Sequence, residues 1–270
     1  MSECIVITSG KGGVGKTTTS ANLSVSLALA GHNVCVVDAD IGLRNLDVIL
    51  GLENRIVYDL VQVIDGECRL KQALIRDKRV KGLSLLPAAQ TRDKNSVTPD
   101  DMRRLIDEMK KDHDYVIIDC PAGIEQGFKN SIAGADRAII VTTPEVSAIR
   151  DADRIIGLVE AHELPEPSLI INRYRPGMVE RGDMVSRDDI LEILAIPLIG
   201  VVPEHEEIIT SANRGTPVAF DAASPIGQAY HRIARRIAGE NVPIPDLTPD
   251  TRFWTVFKRW MGLAPTQEAM

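Results

Sequence analysis

An α/β fold, a single mostly parallel twisted sheet with helices on both faces, is the architecture this sequence predicts, and three observations predict it. Apolar runs of strand length alternate with longer helical patterns. A glycine-rich loop, Ser9-Gly10-Lys11-Gly12-Gly13-Val14-Gly15-Lys16-Thr17-Thr18, lies between the first strand and the first helix. Aspartates Asp38, Asp40 and Asp119 close the following strands, at the carboxyl edge where such sheets bind ligands. At 270 residues and 44% hydrophobic, the chain can bury one large core without dividing.

The elements follow in order. Cys4-Ile5-Val6-Ile7 is an apolar strand, and residues 17–30 form a helix whose N-terminus faces an anion. Gly31 stops that helix, and Val34-Cys35-Val36-Val37 is the next strand. Leu83-Ser84-Leu85-Leu86 is a short strand, and 99–111 is a charged surface helix with Thr98 as its N-cap. Strands at 115–118, 138–142, 168–172 and 198–202 come next, accompanied by helices over 147–161, 187–194, 204–213 and 225–239. The proline-rich stretch 242–249 cannot be helical throughout. The predicted organisation is a phosphate-loop domain over 1–240, a linker over 241–250, an amphipathic helix over 251–263 and a disordered tail over 264–270.

Composition excludes several classes. A net charge of −7 argues against broad nonspecific nucleic-acid binding. Met1-Ser2-Glu3 runs straight into the first strand without a leader, and no apolar run reaches the ~18–20 residues that span a bilayer. The four cysteines, Cys4, Cys35, Cys68 and Cys120, form no C-x-x-C pair, so neither a zinc site nor a disulfide framework is indicated. A reduced, cytoplasmic protein is expected.

The loop carries the chemistry. Gly10, Gly15, Lys16 and Thr17 fill the pattern G-x-x-x-x-G-K-[ST], whose backbone N–H groups cradle phosphates while the lysine reaches the β- and γ-oxygens. Lys11 exceeds what one subunit needs and implies charge supplied to a second subunit's phosphates. Thr17 offers a hydroxyl ligand to Mg²⁺, and Asp38 and Asp119 stand at the same sheet edge to hold that ion directly or through water. Strand-to-loop turns favour aspartate in any case. Asp40, which opens a first switch running to Asp47, is the candidate for orienting the attacking water. Phosphoryl transfer depends on placement and charge more than on a strong base, so slow basal turnover is expected. Asp119-Cys120-Pro121-Ala122-Gly123 reads as a second switch ordered by triphosphate. Asn172 and Arg173 end a strand, where the amide either reads a purine edge or caps the following turn. N-K-x-D, the guanine-reading pattern, is absent there, which tilts the choice toward ATP.

The last segment turns aromatic. Both tryptophans and two of the four phenylalanines lie within residues 253–261. At helical spacing Phe253, Trp254, Val256, Phe257, Trp260, Met261 and Leu263 cover one face, with Arg252, Thr255, Lys258 and Arg259 opposite. Such a helix either docks on its own domain or lies in an anionic membrane interface, and the aromatic and basic content favours the membrane. Six partly inserted side chains, less the ordering of the tail, leave about 4–6 kcal/mol, marginal for one copy. Two tails on a dimer raise avidity by ~10²–10⁴.

Together with Asp38-Ala39-Asp40-Ile41-Gly42-Leu43-Arg44-Asn45-Leu46-Asp47, the segment Asp119–Gly123, Asn172-Arg173-Tyr174-Arg175-Pro176-Gly177-Met178, Gly182-Asp183-Met184 and Val201-Val202-Pro203-Glu204, the loop resembles the MinD family of septum-site-determining ATPases. These belong to the deviant Walker A (ParA/MinD) class of P-loop NTPases. The likeness spans essentially the whole chain. It implies ATP and Mg²⁺ as cofactors and an ATP-dependent homodimer in which Lys11 crosses to the partner's phosphates while Lys16 holds its own. It implies Mg²⁺ on Thr17, with Asp38 and Asp119 contacting it through water, and a hydrolytic water placed by Asp40. Adenine would be read by Asn172 and the backbone near Pro203. A MinC-like division inhibitor and a MinE-like activator are the implied partners, docking on the helix that carries Arg150-Asp151-Ala152-Asp153-Arg154. The implied location is the cytoplasm and the inner face of the cell membrane. The family's tails often stop soon after the helix, whereas this chain continues Ala264-Pro265-Thr266-Gln267-Glu268-Ala269-Met270. Competing readings are a ParA-like DNA-partitioning ATPase, hinted at by Arg232, Arg235 and Arg236, and a flagellar-number regulator of similar architecture. An iron–sulfur reductase on the same loop would need paired cysteines that Cys120 alone does not supply.

Overall fold

The computed structural model describes residues 2–92 and 96–245. Strands β1 (Glu3–Thr8), β2 (Val34–Asp38), β3 (Ile75–Arg76), β4 (Leu83–Leu86), β5 (Tyr115–Asp119), β6 (Arg137–Thr142), β7 (Ser168–Tyr174) and β8 (Leu198–Pro203) form one sheet in the order β3-β4-β2-β5-β1-β6-β7-β8. Every pairing is parallel except β3–β4. A parallel sheet covered on both faces needs strands that are apolar at successive positions. In β1, Cys4 and Val6 enter one core layer and Ile5 and Ile7 the other; Cys35 and Val37 of β2 oppose Val34 and Val36 in the same way.

One layer is closed by α1 (Lys16–Leu29), α2 (Leu46–Leu50) and α11 (Pro225–Ile237). The other is closed by α3 (Leu60–Ile64), α4 (Leu70–Ala73), α5 (Pro99–Met109), α6 (Gln126–Ile132), α7 (Val146–Ala161) and α9 (Arg187–Leu194). Two helices stand apart: α8 (Pro176–Glu180) and α10 (Glu206–Asn213) bury no residue fully.

Thr98 caps α5 as expected, its hydroxyl accepting from the Asp101 N–H while the Asp101 carboxylate takes the Thr98 N–H. Gly31 follows α1 in the left-handed region at φ 97°. The structure departs from expectation at element ends and in short elements. β7 continues two residues beyond 172 through a register irregularity, and α10 starts at 206 because His205 accepts the Glu207 N–H and caps the helix there. The helices α2, α3, α4, α6 and α8 and the two-residue β3 have four to seven residues or fewer, too short to show a hydrophobic period. No helix among the described residues is long and apolar enough to cross a membrane. The expected linker from 246 on, the side chains expected to meet a membrane (Phe253, Trp254, Phe257, Trp260 and Met261) and the expected tail lie outside the described residues.

Candidate functional site

The ends of β1, β2, β5, β6, β7 and β8 share one edge of the sheet, and the loop from Ser9 to Gly15 rises there into α1. No side chain caps α1, so its first-turn N–H groups remain available to an anion. The loop's shape rests on two close approaches. A Cβ on Gly10 would sit 2.3 Å from the Asp151 carbonyl oxygen of α7. One on Gly15, at φ 95°, would sit 2.3 Å from Asn172 Nδ2. Gly12 is unlike them, since a Cβ there meets only Ala122 at 3.8 Å.

The two lysines have different surroundings. Lys16 is buried, its Nζ donating to Ser9 Oγ at 2.9 Å, while Ser9 Oγ donates to the Lys11 carbonyl at 2.8 Å. Ser9 therefore presets the Lys16 ammonium over the loop and leaves it further N–H donors. The Lys11 side chain is 42% exposed and reaches Ser147 Oγ at 3.1 Å and Glu145 Oε2 at 3.4 Å, at the start of α7.

Asp38 and Asp119 are register partners on adjacent strands, both buried. Burial, opposed by backbone N–H bonds, pushes Asp38 up to about 6. Burial and the neighbouring Asp38 push Asp119 up to about 7. Asp119 accepts hydrogen bonds from Ser20 Oγ at 2.9 Å and from the Thr17 hydroxyl. Asp38 accepts the backbone N–H groups of Asp40 (3.0 Å), Asn45 (3.2 Å) and Leu46 (3.2 Å), tying the first switch and the start of α2 to the sheet edge. Two desolvated carboxylates beside a hydroxyl form a hard-oxygen donor set, which suits Mg²⁺ sharing its remaining positions with phosphate and water. A divalent cation there would relieve the repulsion that raises both groups. Asp40 lies at the same edge and lines a small apolar recess with Pro121 and Asn130, between the two switches.

The base side is built differently. Asn172 Nδ2 donates to the Val14 carbonyl at 2.8 Å, so this side chain props the phosphate loop from below. Its Oδ1 is buried without a partner. An orphaned acceptor costs about 1–3 kcal/mol until it is satisfied, and an exocyclic amine would satisfy it. The backbone turns sharply at Arg173, at φ 56°, leaving that side chain exposed. Arg173, Arg175 and Glu204 line a groove of about 800 Å³ that also takes in Glu145, Met178 and Met184. Pro203 stands beside Tyr174 in the register of β7 and β8.

The chain fold thus gathers Gly10–Thr18, Asp38, Asp40, Asp119 and Asn172 at one edge, with Arg173 and Pro203 flanking it. Sequence reading missed Ser9 as the seat of Lys16, Ser20 as a donor to Asp119, and Glu145 and Ser147 as contacts of Lys11. Only Ser20 left a signal, one helical turn beyond Lys16 on the same face.

The CobQ/CobB/MinD/ParA nucleotide binding domain family matches residues 5–218. The septum site-determining protein MinD of Bacillus subtilis (strain 168) is 57% identical over 246 residues, 90% of this chain and 92% of that protein. Among solved structures, the MinC:MinD cell division protein complex from Aquifex aeolicus matches with TM-score 0.85 and 46% identity, over 91% of this chain and 99% of that one. The septum site-determining protein MinD of Pyrococcus horikoshii OT3, complexed with Mg-ADP, matches with TM-score 0.80 and 29% identity, over 88% of this chain and 96% of that one.

Proposed function

The chain belongs to the MinD group of this nucleotide-binding ATPase family, whose named members act in placing the division septum, and from that premise we propose that it is an ATP-switched, membrane-binding dimer. The contrast between its two lysines carries the reading. Lys16 is buried on its own loop, whereas Lys11 is held at the surface by an exposed ion pair that is worth little in water. A phosphate presented by a second copy is a stronger partner for that ammonium than Glu145.

Each residue's part follows from its placement. Backbone N–H groups of the loop and α1 hold the phosphates, and Lys16 neutralises the oxygens of its own subunit. Thr17, Asp38 and Asp119 would hold Mg²⁺, which supplies charge neutralisation at the phosphoryl oxygens. Asp40 orients the water, and Lys11 adds charge from the opposite subunit. Asn172 Oδ1 accepts from the adenine amine, and its buried, unpartnered state supports adenine over a base presenting a carbonyl there. Among the described residues at this edge Asp40 is placed to orient water rather than to act as a strong base, which goes with slow turnover. Dimerisation would place two copies of the amphipathic segment that the sequence predicts over 251–263 on one particle, and the multiplied avidity would turn a marginal anchor into a stable one. Hydrolysis reverses it. The exposed α7 side chains Arg150, Asp153 and Arg154 are the expected dock for a MinC-like inhibitor, and a MinE-like activator would work through the same dimer.

Co-sedimentation with anionic liposomes under ATP, ADP or no nucleotide, with the full chain and a chain ended before Arg252, tests this. Pelleting that needs both ATP and the last segment is the expected result. Absence of pelleting in every condition would overturn the membrane switch and leave a ParA-like, DNA-directed role as the leading reading.

A further inference from the structure

Two residues that line the groove next to Arg173, Arg175 and Glu204, form an ion pair. Arg175 Nε lies 2.5 Å from Glu204 Oε2. Arg175 is the N-cap of α8 and Glu204 is the residue after β8, so the pair joins the two connections that leave the base-side strands. Their backbones are also joined, the Glu204 N–H donating to the Tyr174 carbonyl at 3.1 Å. Arg175 Nη1 further reaches Met178 Sδ at 3.8 Å, on α8 itself. The helices that these connections lead into are the two without a fully buried residue. Of the two, α8 lines the groove through Met178 and Val179, while α10 packs on α2 and the turn over 218–220. With so little apolar anchoring, the position of α8 at the groove depends heavily on the polar ties at its base.

We propose that Arg175 and Glu204 form a latch across the mouth of the base site, and that the latch sets how fast an adenine nucleotide leaves. The proposal rests on the adenine-nucleotide reading above and adds a residue pair with a kinetic role. Both are positioning residues, acting through α8 and the connection that follows β8. Being exposed, the pair has a modest effect that salt screens. Because the pair is formed ahead of the base, it stands in the way of entry as well as exit and slows arrival and departure together.

The test is stopped-flow release of mant-ADP, chased by unlabelled ADP, from the full-length protein in Mg²⁺ buffer. Wild type is compared with Arg175→Gln, Glu204→Gln, the double variant and the charge swap Arg175→Glu with Glu204→Arg. Each single variant is expected to release the nucleotide about two- to five-fold faster, with association faster by a similar factor and melting temperature unchanged. The double variant should match the singles, and the swap should restore slow release. Raising salt to 0.5 M should speed wild type toward the variants and leave the variants nearly unaffected. Binding of pyrophosphate, which has no base to retain, should be the same in all. Release unchanged in the single variants would overturn the latch, as would additive singles or a swap that fails to restore. Wild type that does not bind mant-ADP would remove the underlying reading and the latch with it. Binding with release indifferent to the pair would remove the latch alone.

Discussion

The phosphate half and the base half of the site rest on very different foundations. Helix α1, which receives the phosphates, buries 11 of its 14 residues between the sheet and α11. Helices α8 and α10, which follow the strands that end in Asn172 to Tyr174 and Pro203, bury none. Glycines pressed against Asp151 and Asn172 shape the phosphate loop, and its lysine is seated on Ser9 before any ligand arrives. Such a preset cradle spends little binding energy on ordering itself. The proposed base half keeps one orphaned acceptor and a wide groove, so on that reading the ligand supplies the missing partner. On the proposed reading, one nucleotide would be gripped by a fixed half and a less anchored half.

The largest effect lies in the fixed half. Lys16→Gln should lower nucleotide affinity at least about 100-fold in isothermal titration, because a buried ammonium loses several charge-assisted bonds. Lys11→Gln should leave monomer affinity within about two-fold while abolishing the ATP dimer in light scattering. Equal loss of affinity in both would remove the cross-subunit role of Lys11. Next comes the loop's shape. Gly15→Ala, strained at φ 95° and colliding with Asn172, should cost about 1–3 kcal/mol of stability and at least ten-fold in affinity. Gly12→Ala should stay near wild type in both melting and titration, so a loss as large as that of Gly15 would break the distinction between them.

Replacing Asn172 with Ala probes the seam between the halves. Both ATP and GTP lose the prop under Val14, but only the amine of adenine loses its acceptor. The ATP-over-GTP preference should therefore narrow about ten-fold in competition titrations. An unchanged ratio would detach Asn172 from base reading. The smallest effect is electrostatic. Asp38 and Asp119 hold protons more tightly in the folded chain than in the unfolded one, so they favour the fold below about pH 4, the unfolded value. That contribution is lost as pH rises through about 6 and about 7. The melting temperature of the nucleotide-free protein should fall by a few degrees between pH 5 and pH 8, and Asp119→Asn should flatten the decline. A melting temperature that rises over this interval would contradict the raised carboxyls.

The same division explains what the sequence disclosed. The phosphate half is written in contiguous residues: an apolar strand, a glycine loop and a helix with Lys16 at its head. Its geometry is local, so spacing alone locates it. Asp38 and Asp119 were legible because both end apolar runs. The base half is assembled from the ends of β7 and β8, which are some thirty residues apart and become neighbours only in the sheet. Asn172 was therefore legible as a strand-end amide but not as the prop under Val14. Arg175 and Glu204 each fell within a segment that carries the family resemblance, but nothing in the sequence showed that they pair. Short elements such as α8 fell below the length at which periodicity speaks, and their positions follow from tertiary contacts.

Hydrogen exchange of the full-length protein, alone, with pyrophosphate and with ADP, tests the division most directly. The account predicts slow exchange in α1 under all three conditions, and fast exchange in α8 and α10 that slows with ADP and not with pyrophosphate. Protection of α8 and α10 in the free protein, equal to that of α1, would contradict it.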